Sequence, residues 1–273
     1  MSNTRRPFDD VRAALTETAS NGAGEPTPTV RLDPGRVHRT GVPEVIMAEH
    51  KNLADVAKAL RRQAELTGRA LASRCPAPML DALPKALNPE FEVDVHEVCR
   101  AVVVARPDSQ VTPTGGRIAV ISAGTSDRPI AAEAALMARE MGVAVEEVFD
   151  VGVAGLHRLV APLERAVASG IDAIVVAAGM DGALPSVIAG LVPVPVIGLP
   201  TSVGYGFGGQ GTGALTSMLQ SCAPGLVVVN IDNGIGAGAT AALIANRVAA
   251  ARAGASDTPA AQERLNQRPH GGG

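Results

Sequence analysis

The chain has 273 residues, of which 46% are hydrophobic and 19% charged, a net charge of −3 and five aromatic residues (four Phe and one Tyr, without Trp). This hydrophobicity at low net charge excludes a disordered chain. The scarcity of rings and a pI near 6.0 exclude the stacking platforms and the positive field that nucleic-acid binding needs. We therefore expect no nucleic-acid partner.

Targeting signals and disulfides are not expected either. The N-terminus, MSNTRRPFDD, lacks the apolar core of a signal peptide, and no apolar run approaches the roughly 20 residues of a membrane span. Cys75, Cys99 and Cys222 have neither the even number of a disulfide framework nor the spacing of a zinc site. The sequence predicts a reduced cytoplasmic protein that does not bind a membrane.

In chain order, the composition predicts four segments. Residues 1–32 and 253–273 are polar and small, which predicts a flexible N-terminal segment and a disordered tail. Residues 33–110 contain a helical repeat of apolar residues from Leu53 to Ala64 and two strand-like runs, FEVDVH and CRAVVVAR. We interpret them as a small α/β domain, which a Gly-containing linker, VTPTGG, separates from the rest.

Residues 115–252 form the third segment in chain order, and most of the glycines lie here: 21 of the 30 fall between Gly115 and Gly238. Short β-branched runs alternate with Ala-rich helical stretches. The predicted strands are Arg117–Ser122, Val145–Val151, Asp172–Ala178, Val194–Leu199 and Leu226–Ile231. Helices are predicted to start near Asp127, Gly155, Asp181 and Thr212, and a last one covers about Gly238–Arg252. This alternation predicts a three-layer α/β domain with a five-stranded parallel sheet, whose ligands bind beyond the carboxyl ends of the strands.

Two loops at those strand ends carry a carboxylate. In AGTSDRP (residues 123–129), Asp127 is typical of a helix N-cap, which is the simpler interpretation. Alternatively, Ser126, the nearby amides and the helix dipole bind a phosphate while Asp127 binds a ribose hydroxyl. In AGMDGALPSVIAG (residues 178–190), Asp181 is again a cap unless it has a chemical role.

Two further loops could hold a ligand. DVGVAGLHRL (residues 150–159) places His157 and Arg158 where the chain enters a helix. They are either ordinary helix-surface residues or a proton carrier beside a phosphate clamp. PTSVGYGFGGQGTG (residues 200–213) has six glycines and two of the aromatic residues, which favours an open backbone or a mobile lid over a loop without a role.

Cys222 has two possible roles. Leu215, Met218, Leu219 and Cys222 follow helical spacing, which favours a small buried residue on an apolar helix face over a nucleophile. The chain lacks GxGxxG, Walker and HExxH motifs. By themselves, the residues predict a parallel α/β enzyme domain with a nucleotide-like ligand.

Taken together and in order, these motifs resemble those of the carboxyaminoimidazole ribonucleotide mutases (PurE), from about Arg117 to Val248. The chain is more similar still to the LarB family of nickel-pincer nucleotide cofactor biosynthesis, which adds an N-terminal domain. The segments TGVPEVIMAE, DVGVAGLHRL, PTSVGYG, SCAPG and NIDNGIGAG carry this resemblance from about Arg36 onward. It implies a PurE-like, flavodoxin-like sheet domain preceded by a smaller α/β domain.

The resemblance implies a carboxylase–hydrolase. Its substrates would be nicotinic acid adenine dinucleotide and carbon dioxide, and its products pyridinium-3,5-biscarboxylic acid mononucleotide and AMP. A thiolate that adds at C4 of the electron-poor ring makes C5 an enamine carbon that attacks carbon dioxide. We further expect Mg²⁺ on the phosphates and neither biotin nor ATP, and the resemblance implies a homo-octamer.

Motif positions also imply residue roles. Cys222 matches the nucleophile, Asp181 a proton acceptor or a gate beside the carbon dioxide pocket, and His157 a proton-transfer or phosphate-binding residue. Family members commonly have Glu where this chain has Asp181. The expected substrate-binding residues are Thr125, Ser126, Asp127, Arg158, Ser202, Tyr205, Asp232 and Asn233. The ring of Tyr205 would stack on the substrate, and no residue is assigned to the metal.

Two alternatives are from other classes. The first is a mutase, although Ala183 stands where the mutases have a histidine and they lack a cysteine at the position of Cys222. The second is a non-catalytic nucleotide-binding module whose Gly-rich loop closes on a ligand. Turnover of the dinucleotide, of carboxyaminoimidazole ribonucleotide or of neither separates the three.

Overall fold

The computed structural model describes residues 32–256 together with Arg12. Two compact units divide between Gln110 and Val111. The predicted flexible segment and disordered tail lie outside the described residues, apart from Arg12, Leu32 and residues 253–256, which end the last helix.

The first unit is a four-stranded mixed sheet with helices. Its elements are α1 (Arg36–Thr40), β1 (Val45–Met47), α2 (Leu53–Thr67), β2 (Arg69–Ser73), α3 (Ala77–Leu87), β3 (Glu92–His96) and β4 (Ala101–Ala105). The strand order is β1-β2-β4-β3, in which β1 is parallel to β2 and the other two pairs are antiparallel. This is the smaller α/β unit that precedes the large sheet.

The helix α2 shows how the sequence builds this unit. The side chain of Asn52 accepts a hydrogen bond from the amide of Asp55, and Gly68 ends the helix in the left-handed conformation. Between these caps, Val56, Leu60 and their neighbours pack with α3 against one face of the sheet. The positions of α2, β3 and β4 confirm the helical repeat and the two strand-like runs.

The second unit is a five-stranded parallel sheet. Its elements are β5 (Arg117–Ser122), α4 (Arg128–Glu140), β6 (Ala144–Val148), α5 (His157–Ala168), β7 (Ala173–Ala178), α6 (Leu184–Ala189), β8 (Val196–Pro200), α7 (Thr212–Leu219), β9 (Leu226–Val228) and α8 (Gly234–Ser256). The strand order is β6-β5-β7-β8-β9, and every pair is parallel. The predicted α/β class is confirmed.

Helices cover both faces of this sheet. On one face α5, α6 and α7 pack on alternate strand residues such as Ile121 and Ile174. On the other, α4 and α8 pack against the sheet and against each other. A Cβ on Gly238 would lie 2.2 Å from the carbonyl oxygen of Ala134, so these two helices touch through their backbones. Within residues 32–256, no helix is long and apolar enough to span a membrane.

The strand order also indicates the region of the sheet where a ligand would bind. From β5 the chain crosses by α4 to β6, whereas from β7 it crosses by α6 to β8, on the other side of the sheet. The carboxyl ends of β5 and β7 therefore flank the crevice where the direction of winding reverses. In open parallel sheets such a crevice is the usual ligand site.

Several element boundaries differ from the sequence expectation. The strands β6 and β9 end at Val148 and Val228, three residues early, and the chain soon reaches Asp150 and Asp232, which have left-handed φ angles of 60° and 55°. An extended strand cannot include that conformation. The helix α6 starts at Leu184 rather than near Asp181, because the backbone of Met180 and Gly182 is left-handed before it.

Candidate active site

Asp127 lies buried beneath the loops at the carboxyl edge of the sheet. A 3₁₀ turn, Thr125–Asp127, leads from β5 into α4, and the Asp127 side chain is only 4% exposed. Its Oδ2 accepts from the Gly124 amide (2.8 Å) and its Oδ1 from Thr201 Oγ1 (2.6 Å). The carboxylate therefore joins the loops after β5 and β8, and it makes no capping bond to α4.

Burial raises the pKa of Asp127 above its ordinary value. The hydrogen bonds from Thr201, Gly124 and Gly179 oppose this change because they favour the ionised form, whereas the nearby charge of Asp232 adds to it. A buried carboxylate held by donors from three loops fixes those loops relative to one another.

Close backbone packing joins the loops after β7 and β8. The Met180 amide donates to the carbonyl of Val203 (3.0 Å). A Cβ on Gly179 would lie 2.1 Å from that same carbonyl oxygen and 2.8 Å from Thr201 Oγ1. Only glycine fits at position 179, and Thr201, which sequence reasoning did not select, is central to this edge of the sheet.

The hydroxyl-bearing residues of the first loop face solvent. Thr125 and Ser126 are both exposed, immediately before the start of α4. Free amides at a helix start, together with hydroxyl donors, are suited to an anion. The loop therefore offers exposed donors above a buried, rigid carboxylate.

The loop after β6 holds an exposed ion pair. Arg158, in the first turn of α5, lies with Nη1 at 2.8 Å from Oδ2 of Asp150. His157, the first residue of α5, is exposed beside it. Sequence reasoning quoted this motif but did not select Asp150, although a polar residue directly after a strand was the available signal.

Asp181 is exposed at the tip of the loop after β7. It stands between Met180 and Gly182, and α7 packs behind the loop so closely that a Cβ on Gly182 would lie 2.7 Å from the carbonyl oxygen of Ala214. The N-cap of α6 is Ala183, so the capping interpretation of Asp181 is wrong. Its carboxylate is presented to solvent beside the β5–β7 crevice.

Cys222 is exposed, and the prediction of a buried position on an apolar helix face is wrong. The helix α7 ends at Leu219 because Ser221 Oγ accepts from the Ala223 amide (3.2 Å), a local bond that competes with helix. Ser221 Oγ also accepts from Ser186 Oγ, at 2.8 Å. The thiol thus lies in the segment between α7 and β9, next to a residue that is held at the first turn of α6, the helix that follows Asp181.

The Gly-rich loop presents its aromatic rings to solvent. Tyr205 is 82% exposed and Phe207 is fully exposed. At the base of the loop the Ser202 amide donates to Asp232 Oδ1 (2.8 Å). Asn233 Oδ1 accepts from the Gly236 amide (2.9 Å) and caps α8. The predicted residues of this region lie near one another, but Asp232 and Asn233 already bind protein donors.

Within the described residues, the side chains by themselves form no magnesium site. In the part of the chain that the structure describes, no group of three or more His, Cys, Asp or Glu side chains is placed to hold a metal ion. The carboxylates of Asp127 and Asp232 accept hydrogen bonds from protein groups instead.

Comparisons with known proteins agree with this architecture. The AIR carboxylase family model matches residues 117–268, and the LarB/PurE-like N-terminal domain model matches residues 25–106. An uncharacterised protein of Methanocaldococcus jannaschii is 41% identical over 218 residues, 79% of this chain and 84% of the relative. An N5-carboxyaminoimidazole ribonucleotide mutase of Mycobacterium tuberculosis is 32% identical over 144 residues, 50% of this chain and 77% of the relative.

The sheet, its loops and these matches define an enzyme class, that of carboxylase- and mutase-type proteins that act on nucleotides. Within that class the two matched domains occur in one chain, in the order that the sequence predicted. The chain belongs to the LarB family, and its second unit is an AIR carboxylase domain of the PurE type.

Proposed function

We propose that the protein carboxylates C5 of the pyridinium ring of nicotinic acid adenine dinucleotide and hydrolyses the phosphoanhydride. The products are pyridinium-3,5-biscarboxylic acid mononucleotide and AMP, for nickel-pincer cofactor synthesis in the cytoplasm. The observation that carries this proposal is the exposed thiol of Cys222, beside the helix that follows Asp181. A mutase needs no such thiol.

The proposed reaction begins with addition of the Cys222 thiolate at C4 of the ring. This addition converts the pyridinium to a dihydropyridine, whose C5 is an enamine carbon and attacks carbon dioxide. Asp181 then removes the C5 proton, and the electron pair of that bond restores the aromatic ring while the thiolate leaves. Asp181 suits this role because its carboxylate is exposed and does not cap α6.

Substrate binding is proposed for the loops at the carboxyl edge. Arg158 and the exposed donors of Thr125 and Ser126 bind phosphate oxygens, and His157 binds phosphate or transfers a proton. Tyr205 stacks on the substrate when its loop closes. Four more of the expected substrate-binding residues already accept or donate hydrogen bonds within the protein, and we propose that they act mainly by fixing the loops: Asp127, Ser202, Asp232 and Asn233.

We also propose that copies of the chain assemble into a homo-octamer. Apolar side chains are exposed around a groove of about 500 Å³ between α5 and α6, among them Leu156, Val160 and Leu191. An exposed apolar surface of this kind supports contact with other copies. Light scattering coupled to gel filtration measures the number of subunits directly.

The test uses the full chain with nicotinic acid adenine dinucleotide, [¹³C]bicarbonate and Mg²⁺. We expect AMP and a labelled dicarboxylated pyridinium by mass spectrometry. Cys222→Ser, which keeps a side chain of similar size without the nucleophile, should abolish carboxylation. Carboxylation at the full rate by this variant would refute the covalent mechanism.

Other outcomes identify the alternatives. Turnover of carboxyaminoimidazole ribonucleotide, with none of the dinucleotide, would establish a mutase. Binding of the dinucleotide without turnover would establish a binding module. When the protein is incubated with the dinucleotide and digested, mass spectrometry should find the adduct on the peptide that contains Cys222.

A further inference from the structure

The ion pair of Arg158 and Asp150 is more than a surface contact, because three local features hold it in place. Asp150 Oδ2 lies 2.8 Å from Arg158 Nη1. Asp150 has a left-handed backbone (φ 60°), a conformation that Asp and Asn tolerate and most other residues do not. This turn directs the chain back toward β5 after β6 has ended.

The residues after Asp150 are anchored to the neighbouring loop. The Val151 amide donates to the carbonyl of Ser122 at the end of β5 (3.2 Å), and Val151 is buried. A Cβ on Gly152 would lie 2.9 Å from the carbonyl oxygen of Ala123. The carboxylate of Asp150 therefore projects from a fixed segment of backbone.

The Arg158 side chain lies across Gly155. A Cβ at position 155 would lie 2.8 Å from Nε and 3.2 Å from Nη2 of Arg158, so a larger residue there would displace the guanidinium from this position. The guanidinium has five N–H donors, and Asp150 accepts at Nη1. The remaining donors are available for a ligand on a side chain that is 41% exposed.

Electrostatics at the start of α5 favour a carboxylate beside Arg158. The first turn of α5 contains no acidic residue and begins with His157 and Arg158, although the positive end of the helix dipole disfavours cations there. Asp150, from the end of β6, supplies the negative charge that offsets this repulsion. We therefore expect removal of this charge to favour positions of Arg158 away from the helix start.

We infer that Asp150 is a positioning residue for phosphate binding: it holds the Arg158 guanidinium over Gly155, ready for a phosphate monoester or diester. The inference rests on the proposed function for the identity of the physiological ligand. The increase in phosphate affinity that Asp150 gives Arg158 applies to any phosphorylated ribose.

The test compares Asp150→Asn, Arg158→Ala and the double variant in the full chain. Asn keeps the left-handed backbone and removes the charge. Glu147→Gln is the matched control, because Glu147 lies on β6 shortly before Asp150 and likewise pairs with an arginine, Arg139 on α4. Calorimetry measures the affinities for ribose 5-phosphate and for nicotinic acid adenine dinucleotide. Turnover assays with the dinucleotide give KM and kcat.

We expect Asp150→Asn to weaken ribose 5-phosphate binding about tenfold, equivalent to about 1.4 kcal/mol, with a raised KM for the dinucleotide and a nearly unchanged kcat. In the Arg158→Ala background, Asp150→Asn should have no further effect, since a positioning residue acts only through the group it positions. The control should bind as the wild type does.

Three results would overturn the inference. Tighter binding of ribose 5-phosphate by Asp150→Asn would show that the carboxylate competes with the ligand. An equal loss of affinity on Asp150→Asn with and without Arg158 would show a merely structural role. Failure of the wild type to bind ribose 5-phosphate would remove the phosphate site itself. If the dinucleotide is bound but not carboxylated, the proposed reaction fails while the ribose 5-phosphate comparison still decides the role of Asp150.

Discussion

Thr201→Val tests whether the buried carboxylate of Asp127 holds the loops of the candidate active site together. The substitution keeps the shape of the side chain and removes the hydroxyl that donates to Asp127 Oδ1 at 2.6 Å. Both residues are buried, with Thr201 fully inaccessible and Asp127 4% exposed, so water cannot replace the lost donor without a rearrangement. One carboxylate oxygen therefore loses its partner inside the protein.

The size of the effect depends on the protonation of Asp127. Burial raises the pKa of Asp127 above 3.8, so the native state loses stability as the pH rises through that pKa. The Thr201 bond opposes this loss because it favours the ionised form. We expect Thr201→Val to cost about 1.5–3 kcal/mol at neutral pH, as for a bond to a charged group, and about 0.5–1.5 kcal/mol once Asp127 is protonated.

Hydrogen exchange of the full chain, read by mass spectrometry on peptides from β5 and β8, measures the local stability across a pH series that spans the titration of Asp127. Thr201→Ser is the matched control, since it keeps the hydroxyl and loses a methyl group, at a cost of roughly 1 kcal/mol that does not depend on pH. A pH-independent cost for Thr201→Val, or one below about 0.5 kcal/mol at pH 7, would refute an ionised Asp127 bound to Thr201.

Three further predictions follow from the geometry of the second unit and from the burial of the thiols. Gly179→Ala should destabilise the loops by about 1–3 kcal/mol by overpacking and reduce activity. Gly190→Ala is the control: its Cβ would meet ordinary contacts at 3.5 Å or more, so thermal melting and turnover should be unchanged. Iodoacetamide should label Cys222 first in the native chain, because Cys222 is exposed whereas burial raises the pKa of the Cys75 thiol to about 11. Labelling of Cys75 at a similar rate would contradict the structure. Tyr205→Leu should raise the KM for the dinucleotide several-fold without a change in melting temperature, since the ring is 82% exposed; an unchanged KM and kcat would exclude stacking.

The large sheet was predictable because its strands are short β-branched runs between glycines. The strand Arg117–Ser122 was predicted with its correct bounds. In the first unit the signal was weaker: β2 reads RALAS, with few β-branched residues, and α3 contains Pro84 within its length. Propensity alone selects neither element, and packing against α2 and β4 decides them.

The residues of the candidate site were predictable by type but not by partner. Sequence motifs identified Arg158 and Asp127, whereas their partners Asp150 and Thr201 were not selected. Thr201 is 74 residues from Asp127, and only the order of the strands brings the two together. Cys222 was placed on a helix by its spacing, which cannot show that a local serine bond ends the helix first.

The backbone contact between α4 and α8 explains why the chain needs so few aromatic residues. Where Gly238 meets Ala134, and where a Cβ on Gly116 would lie 2.9 Å from the carbonyl carbon of Ala245, there is no space for a ring. The interior on this face is filled by many alanines rather than by a few large side chains. Truncation of any one residue removes little volume, but enlargement of any one must push a helix from the sheet. Tolerance to mutation on this face therefore depends on direction: the chain accepts losses of bulk more readily than gains.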